Sequence, residues 1–465
     1  MKGSRFRPHR YSWRAGLIGL LAPLALSSAA QTPLRWDGPS HATQTQAAVA
    51  ANTAASSNLA APAFAPALQQ NVLPLAPGFD VRQFEAIAQE LVAGQRIPGL
   101  ALAIVQNGRV LSARGYGVTD VSAAEPVDAH TVFRLASLSK SFAGTITGML
   151  VSEGALRWDS KLTDYMPDFR LADPNAAQRL TVADILSHRV GLTHNAYDRD
   201  IERGGDYRDL LQKLASAPMK CAPGECYAYQ NVAFSTIGDV VFAATGQFYS
   251  ETVSRRIFKP LGMNDASYGL EGIEASPRWA RPHVRARGGW VSLMPKPTYY
   301  RVAPAAGVNA SISDLAQWLI AQSGHRPDVL PAPLLATLHA PLIDTPAELR
   351  GSPWRRERVF SASYALGWRV YDYSGHPVVF HAGAVQGYRG MMALLPERDL
   401  GIAILWNSES SLPSGLLPTI LDAAVGLPAV AWVDTGNKMP GTMMARVPAE
   451  DAAGVDSSTS EAAPD

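Results

Sequence analysis

Apolar residues recur at helical spacing in FDVRQFEAIAQELVAGQ, where Phe84, Ile87, Ala88 and Leu91 fall on one stripe of a predicted helix. The period then changes. GLALAIVQ and RVLSARGYG read as two strands, and Asn107-Gly108 between them is the strongest short hairpin signal a sequence can carry. The complementary pattern lies near the other end of the chain. There YALGWRVYDY, PVVFH, RGMMALLP and GIAILWN are short apolar runs parted by turn residues such as Ser374-Gly375 and Glu397-Arg398-Asp399, as in successive antiparallel strands, and a helix from about Pro413 to Val425 would cover them. From Leu138 to about Leu319 helical runs dominate instead, among them SLSKSFAGTITGMLVSEG, TVADILSH, NVAFSTIGDVVFAATG and SISDLAQWLIAQS. The simplest architecture is α+β: an antiparallel sheet from both chain ends flanked by helices, with an inserted, mainly helical region and a site at the junction.

Composition supports one large folded unit, expected over residues 77–432, since 47% of the 465 residues are hydrophobic and 17% charged. Residues 1–30 stand apart. Lys2, Arg5, Arg7, Arg10 and Arg14 precede the apolar run AGLIGLLAPLALSSAA, and Ser28 and Ala30 are small residues before a cut, so a secretory signal peptide is expected, with the periplasm as the compartment. The run is short for a span of roughly 20 residues and contains Pro23, so no stable membrane span is expected once the signal is removed. Residues 31–76, rich in Ala, Thr, Gln, Ser and Pro, read as a flexible linker, and residues 433–465 as a disordered acidic tail. Without residues 1–30 the formal charge moves from +1 to −4, because five basic and no acidic groups are lost. A mildly acidic secreted chain with no basic stripe is a poor nucleic-acid partner.

Cys221 and Cys226 flank the tight turn Pro223-Gly224 in CAPGEC. In an oxidising compartment this spacing permits a small-loop disulfide worth about 2 kcal/mol, free thiols being the alternative. No metal or cofactor is expected: two thiols are too few, and His188, His194, Asp198 and Asp200 lack a regular ligand spacing. Neither G-x-S-x-G nor H-E-x-x-H occurs.

Three short motifs carry the chemistry. In FRLASLSKSFAGT, Ser137 is placed to cap the following helix and Lys140 lies one turn on, where its amine can reach the serine hydroxyl. Such a serine becomes a nucleophile if burial or neighbouring cations lower the lysine pKa; otherwise it is an ordinary cap beside a solvated lysine, and roughly one or two chance matches are expected in a chain this long. In APGECYAYQNVAF, Tyr229 and Asn231 follow, a phenol suited to relay a proton and an amide suited to bind a substrate amide. In PVVFHAGAVQGYRG, His381 and Gly383 stand at the end of a predicted strand, where a small Ala-Gly pair admits substrate and the Ala384 N–H can face an oxyanion together with that of Ser137.

In this order the motifs resemble those of the serine β-lactamase and penicillin-binding-peptidase superfamily, whose signature is S-x-x-K, a second polar box and K-T-G. The Tyr-x-Asn second box is similar to that of the class C β-lactamase branch, which also holds esterases, D-aminopeptidases and D,D-peptidases. The resemblance extends over VFRLASLSKSF, VADILSHRVGLT, PGECYAYQN, FKPLGMNDASY, SISDLAQWL and FHAGAVQGYRG. It implies the β-lactamase/transpeptidase-like fold, with Ser137 as nucleophile, Lys140 as its base, Tyr229 as relay, and Asn231, His381 and Gly383 as substrate contacts. One departure matters. His381 stands where the lactamases have lysine, and an unperturbed imidazole is mostly neutral at neutral pH, so the grip on a substrate carboxylate is weakened; Arg389 is a candidate replacement cation. The expectation is therefore a secreted serine hydrolase acting through an acyl-enzyme on an ester, amide or D-amino-acid peptide, peptidoglycan-derived peptides being among the candidates. A D,D-peptidase or esterase comes before a true β-lactamase, and a catalytically silent peptidoglycan-binding relative is the reading from another class. The sequence sets neither the oligomeric state nor the acyl and leaving groups, which depend on loops such as Gly204 to Tyr207 and Arg285 to Tyr300.

Overall fold

In the computed structural model, which describes residues 72–123 and 125–434, helix α1 (Val81–Ala93) leads into the hairpin of β1 (Gly99–Gln106) and β2 (Arg109–Gly117). Asp80 caps α1 by accepting from the Arg82 N–H, and its buried residues are Phe84, Ile87, Ala88 and Leu91, the predicted stripe. Asn107 and Gly108 take φ values of 49° and 69°, the mirror-image turn that matches the twist of the strands. Then follow β3 (Val132–Arg134), α2 (Ser139–Ser152), α3 (Thr236–Thr245), β4 (Ser267–Tyr268), β5 (His283–Ala286), β6 (Gly289–Ser292), β7 (Val308–Ser311) and α4 (Ile312–Ile320). The chain closes through β8 (Ile343–Asp344), β9 (Val359–Tyr364), β10 (Arg369–Tyr373), β11 (His376–Val385), β12 (Tyr388–Leu395), β13 (Leu400–Trp406) and α5 (Leu416–Val425).

Eight strands form one antiparallel sheet in the order β2-β1-β13-β12-β11-β10-β9-β8. The first and last strands of the chain are thus neighbours, with Leu102 opposite Ile404. Because side chains alternate across a strand, β1 feeds two cores. Leu100, Leu102 and Ile104 join α1 and α5 on one face, while Ala101, Ala103 and Val105 join the inserted helical region on the other. The architecture is α+β, as the pattern of elements predicts.

Three local differences have physical causes. YALGWRVYDY is not one strand: the chain turns at Gly367, φ 81°, and an unanticipated strand, β9, pairs with β10. PVVFH does not end at His381, because Gly383 and Ala384 pair with Gly390 and Arg389 of β12 and carry the strand on to Val385. β3, just before the inserted region, joins β7 and β4 within it in a small sheet of order β3-β7-β4, too short to leave a periodic signal. The expected signal peptide lies outside the described residues, as do all but residues 72–76 of the expected linker and 433–434 of the expected tail. Leu73 and Ala76 donate backbone hydrogen bonds to the Glu397 and Ala424 carbonyls at 2.8 and 3.0 Å, so the end of that linker is tied to the fold.

Helix α2 meets the β9–β10 turn at backbone contact. A Cβ on Gly144 would sit 2.1 Å from the Leu366 carbonyl oxygen, and one on Gly367 would sit 2.3 Å from that of Lys140. Glycine to alanine inside a helix ordinarily gains about 1 kcal/mol in propensity. Gly144→Ala is expected to reverse that sign and to destabilise by about 2 kcal/mol or more, since the clash is with backbone that cannot move aside. Urea unfolding of the variant beside the parent measures the difference.

Candidate active site

The turn before α2 is built to expose one residue. Within Thr131–Lys140 every residue is buried except Ser137. Ala136 adopts φ 49°, an unusual conformation for a residue with a Cβ. It is held there because the Leu135 N–H donates to the Val308 carbonyl at 2.9 Å, while Ser139 Oγ donates to the Ala136 carbonyl at 2.6 Å and accepts from the Val308 N–H at 3.0 Å. Ser137 does not cap α2. It occupies the 3-10 turn Ala136–Leu138, and the helix N-cap position is Leu138, which offers no side-chain acceptor.

Lys140, on the first turn of α2, is fully buried. Its Nζ lies 3.3 Å from Ser137 Oγ, donates to Asn231 Oδ1 at 2.7 Å and donates to the Ala305 carbonyl at 3.1 Å. Burial pushes its pKa well below the ordinary lysine value, the Arg369 charge pushes the same way, and Asp198 opposes. A neutral amine has two N–H groups and one lone pair. An amine in its neutral form, with its two N–H groups on Asn231 and Ala305, would keep its lone pair for the serine hydroxyl.

Asn231 is itself oriented. Its Nδ2 donates to Asp198 Oδ2 at 2.7 Å, which turns Oδ1 toward Lys140. Burial raises the Asp198 pKa, against the Asn231 hydrogen bond and the Lys140 charge. Tyr229 presents its ring 4.5 Å from Lys140 Nζ and 5.6 Å from the Arg369 guanidinium. Burial holds its phenol above the usual tyrosine range, although Arg369 and a hydrogen bond with Ser137 pull it down. It is therefore a protonated phenol at neutral pH, beside an amine whose pKa burial lowers.

On the far side of Ser137 runs β11. A Cβ on Gly383 would lie 2.4 Å from the Leu135 carbonyl oxygen and 2.9 Å from the Ser137 backbone nitrogen, so glycine is required for this close approach. Gly383 and Ala384 line a cleft of ≈850 Å³ that also exposes Ser137, Tyr229, Asn231 and the part-buried Arg389. Burial lowers the Arg389 pKa and Glu409 opposes this.

His381, expected among the substrate contacts, is not one of the residues lining the cleft. It is fully buried. The Gln230 N–H donates to His188 Nδ1 at 3.1 Å, which leaves the His188 proton on Nε2, 3.2 Å from the Tyr364 hydroxyl. Tyr364 in turn lies 3.0 Å from His381 Nε2, and His381 Nδ1 lies 2.8 Å from the Ala382 carbonyl. The carbonyl can only accept, so the pattern fixes both tautomers and a hydrogen-bond chain runs from the Tyr229 segment to β11. Burial, reinforced by the Lys140 and Arg369 charges, holds both imidazoles well below the usual histidine range. His381 thus joins two walls of the site as a neutral imidazole instead of gripping a substrate from within.

Of the loops expected to line the cleft, Lys296, Thr298 and Tyr299 do so, whereas Gly204 to Tyr207 do not; Asp198 and Glu202 of the preceding helix take that wall. The motifs did not point to Asp198, Tyr364, Glu348 or Arg369. The one trace was a lone arginine in the apolar run YALGWRVYDY. Cys221 and Cys226 are joined as a disulfide just before Tyr227 and Tyr229.

A family model described as Beta-lactamase matches residues 84–427, and the chain belongs to that family. Among curated relatives, the unguisins hydrolase ungD' of Aspergillus campestris is 25% identical over 355 residues, which is 73% of this chain and 64% of that protein. This chain thus spans just under two thirds of that relative's length. Esterase EstB of Burkholderia gladioli is 30% identical over 309 residues, 58% of this chain and 77% of the esterase. Among solved structures, the octameric penicillin-binding protein homologue from Pyrococcus abyssi superposes with a TM-score of 0.64 at 25% identity, covering 75% of this chain and 78% of that one. The relatives include hydrolases of the serine β-lactamase family, and the fold is β-lactamase/transpeptidase-like.

The base can be tested by its field. A Lys140 base works only when neutral, so kcat/KM is present above its pKa and lost as pH falls through it. Asp198→Asn removes a charge that raises this pKa, and is expected to move the acid limb down by about one pH unit; Arg369→Gln removes a charge that lowers it, and is expected to move the limb up by about as much. pH–rate profiles that shift together, or not at all, would rule Lys140 out as the titrating group.

Proposed function

We propose that this protein is a secreted serine hydrolase that cleaves esters or amides through an acyl-enzyme on Ser137. The observation that carries the reading is the fully buried Lys140 amine, held by Asn231 and Ala305 within 3.3 Å of Ser137 Oγ. Ser137 Oγ attacks the substrate carbonyl carbon as its proton passes to Lys140 Nζ. The oxyanion is received by the backbone N–H groups of Ser137 and Ala384. The proton then reaches the leaving oxygen or nitrogen through the Tyr229 phenol, the carbon–leaving-group bond breaks, and water activated by the same pair frees Ser137. Kinship with an esterase supports ester substrates. The burial of neutral His381 supports them too, since position 381 presents no cation to the cleft. The basic start of the chain and the Cys221–Cys226 disulfide support export to an oxidising compartment.

Intact-mass spectrometry of the mature protein with an acylating probe, a fluorophosphonate or a penicillin, is expected to show one adduct, absent from Ser137→Ala. Hydrolysis of phenyl acetate should fall by about 10³-fold or more in the same variant. An unlabelled parent with no turnover would favour a silent binding protein; full activity in Ser137→Ala would falsify the nucleophile.

A further inference from the structure

The wall of the cleft beside Tyr229 carries an unusual cluster. Arg355, Arg369 and Glu348 all line the cleft. Glu348 Oε2 accepts from Arg355 Nη1 at 2.5 Å and from the Tyr371 hydroxyl at 2.9 Å, while Oε1 is ion-paired with Arg369. All three charged side chains are largely buried, with exposures of 12–16%. Burial alone would raise the Glu348 pKa, but the Arg369 and Arg355 charges outweigh it and hold the carboxylate ionised. Glu348 reaches in from the short 3-10 turn Pro346–Arg350, whereas Arg369 sits on the central sheet.

Two arginines in a partly dry wall would bind a substrate carboxylate strongly. We propose that Glu348 pre-empts this subsite with its own carboxylate and so makes the enzyme selective for substrates whose group on the Tyr229 side is uncharged. This rests on the hydrolase reading and refines its substrate class. Arg369 is kept for its field at Tyr229 and Lys140, while Glu348 shields it from the ligand. A carboxylate brought to this wall would stand beside that of Glu348, and like charges at that range repel.

Two matched substrate pairs test the proposal, since the wall could face either the acyl or the leaving group. One is phenyl hydrogen glutarate against phenyl methyl glutarate; the other is 3-carboxyphenyl acetate against its methyl ester. Wild type is expected to prefer the neutral member of each pair. In Glu348→Gln the carboxylate-to-neutral ratio of kcat/KM should rise by about tenfold or more in one pair, corresponding to about 1.4 kcal/mol, and adding Arg369→Gln should remove the gain. Glu348→Ala, which leaves no amide to bond Arg355, must move the ratio the same way. Unchanged ratios in both Glu348 variants, with Ser137 still labelled by a fluorophosphonate, would overturn the proposal alone. Failure of wild type to label would instead overturn the hydrolase reading beneath it.

Discussion

The burial of the Lys140 amine is the constraint on which the rest of the site depends. An ammonium taken fully out of water costs several kcal/mol unless it is paired, so equilibrium favours shedding the proton. A neutral amine then needs two acceptors and one donor, and here each comes from a different part of the chain. Asn231 belongs to the second motif, Ala305 to the end of the insertion and Ser137 to the turn before the helix. The contact of α2 with the Leu366-Gly367 turn brings the last third of the chain against the same helix. The pKa of the amine and the tertiary structure are therefore one problem, since any opening that let water reach Nζ would raise that pKa again.

The third motif brings no charge from position 381 into the cleft. His381 is neutral and faces away from the cleft, so it supplies no field to a substrate. The positive charge near Tyr229 comes from Arg369, one strand over on β10, where Arg369 lies opposite Phe380 of β11. Moving the charge off the substrate-facing strand separates two jobs that one lysine would combine. Arg369 favours ionisation of the phenol and opposes protonation of the amine, while β11 lines the cleft with the small residues Ala382, Gly383 and Ala384 and with Val385.

Much of this was legible in the sequence, and the boundary is physical. α1 and the β1–β2 hairpin were readable because their signals are local: a stripe at 3.6-residue spacing and Asn-Gly between two apolar runs. Ser137, Lys140, Tyr229 and Asn231 were readable because a residue type and a spacing sufficed to name them, and the structure brings all four together. The role of His381 was not, because it hinges on Tyr364, in a run that reads as one strand until Gly367 breaks it. Arg369, Glu348 and Asp198 were hidden for a related reason. Each matters through a charge partner 20 or more positions away, and pairing at that range leaves no periodic trace.

The two carboxylates that escaped the sequence act on the Lys140 amine in the same sense, by different routes. Asp198 raises the Lys140 pKa and also aims Asn231, so its charge opposes neutrality while its geometry secures the hydrogen bond that neutrality requires. Glu348 acts indirectly, by tempering the Arg369 charge that lowers the same pKa. Neither effect matches burial, which leads in setting the direction. Burial sets the direction of the shift, and the surrounding charges adjust its extent.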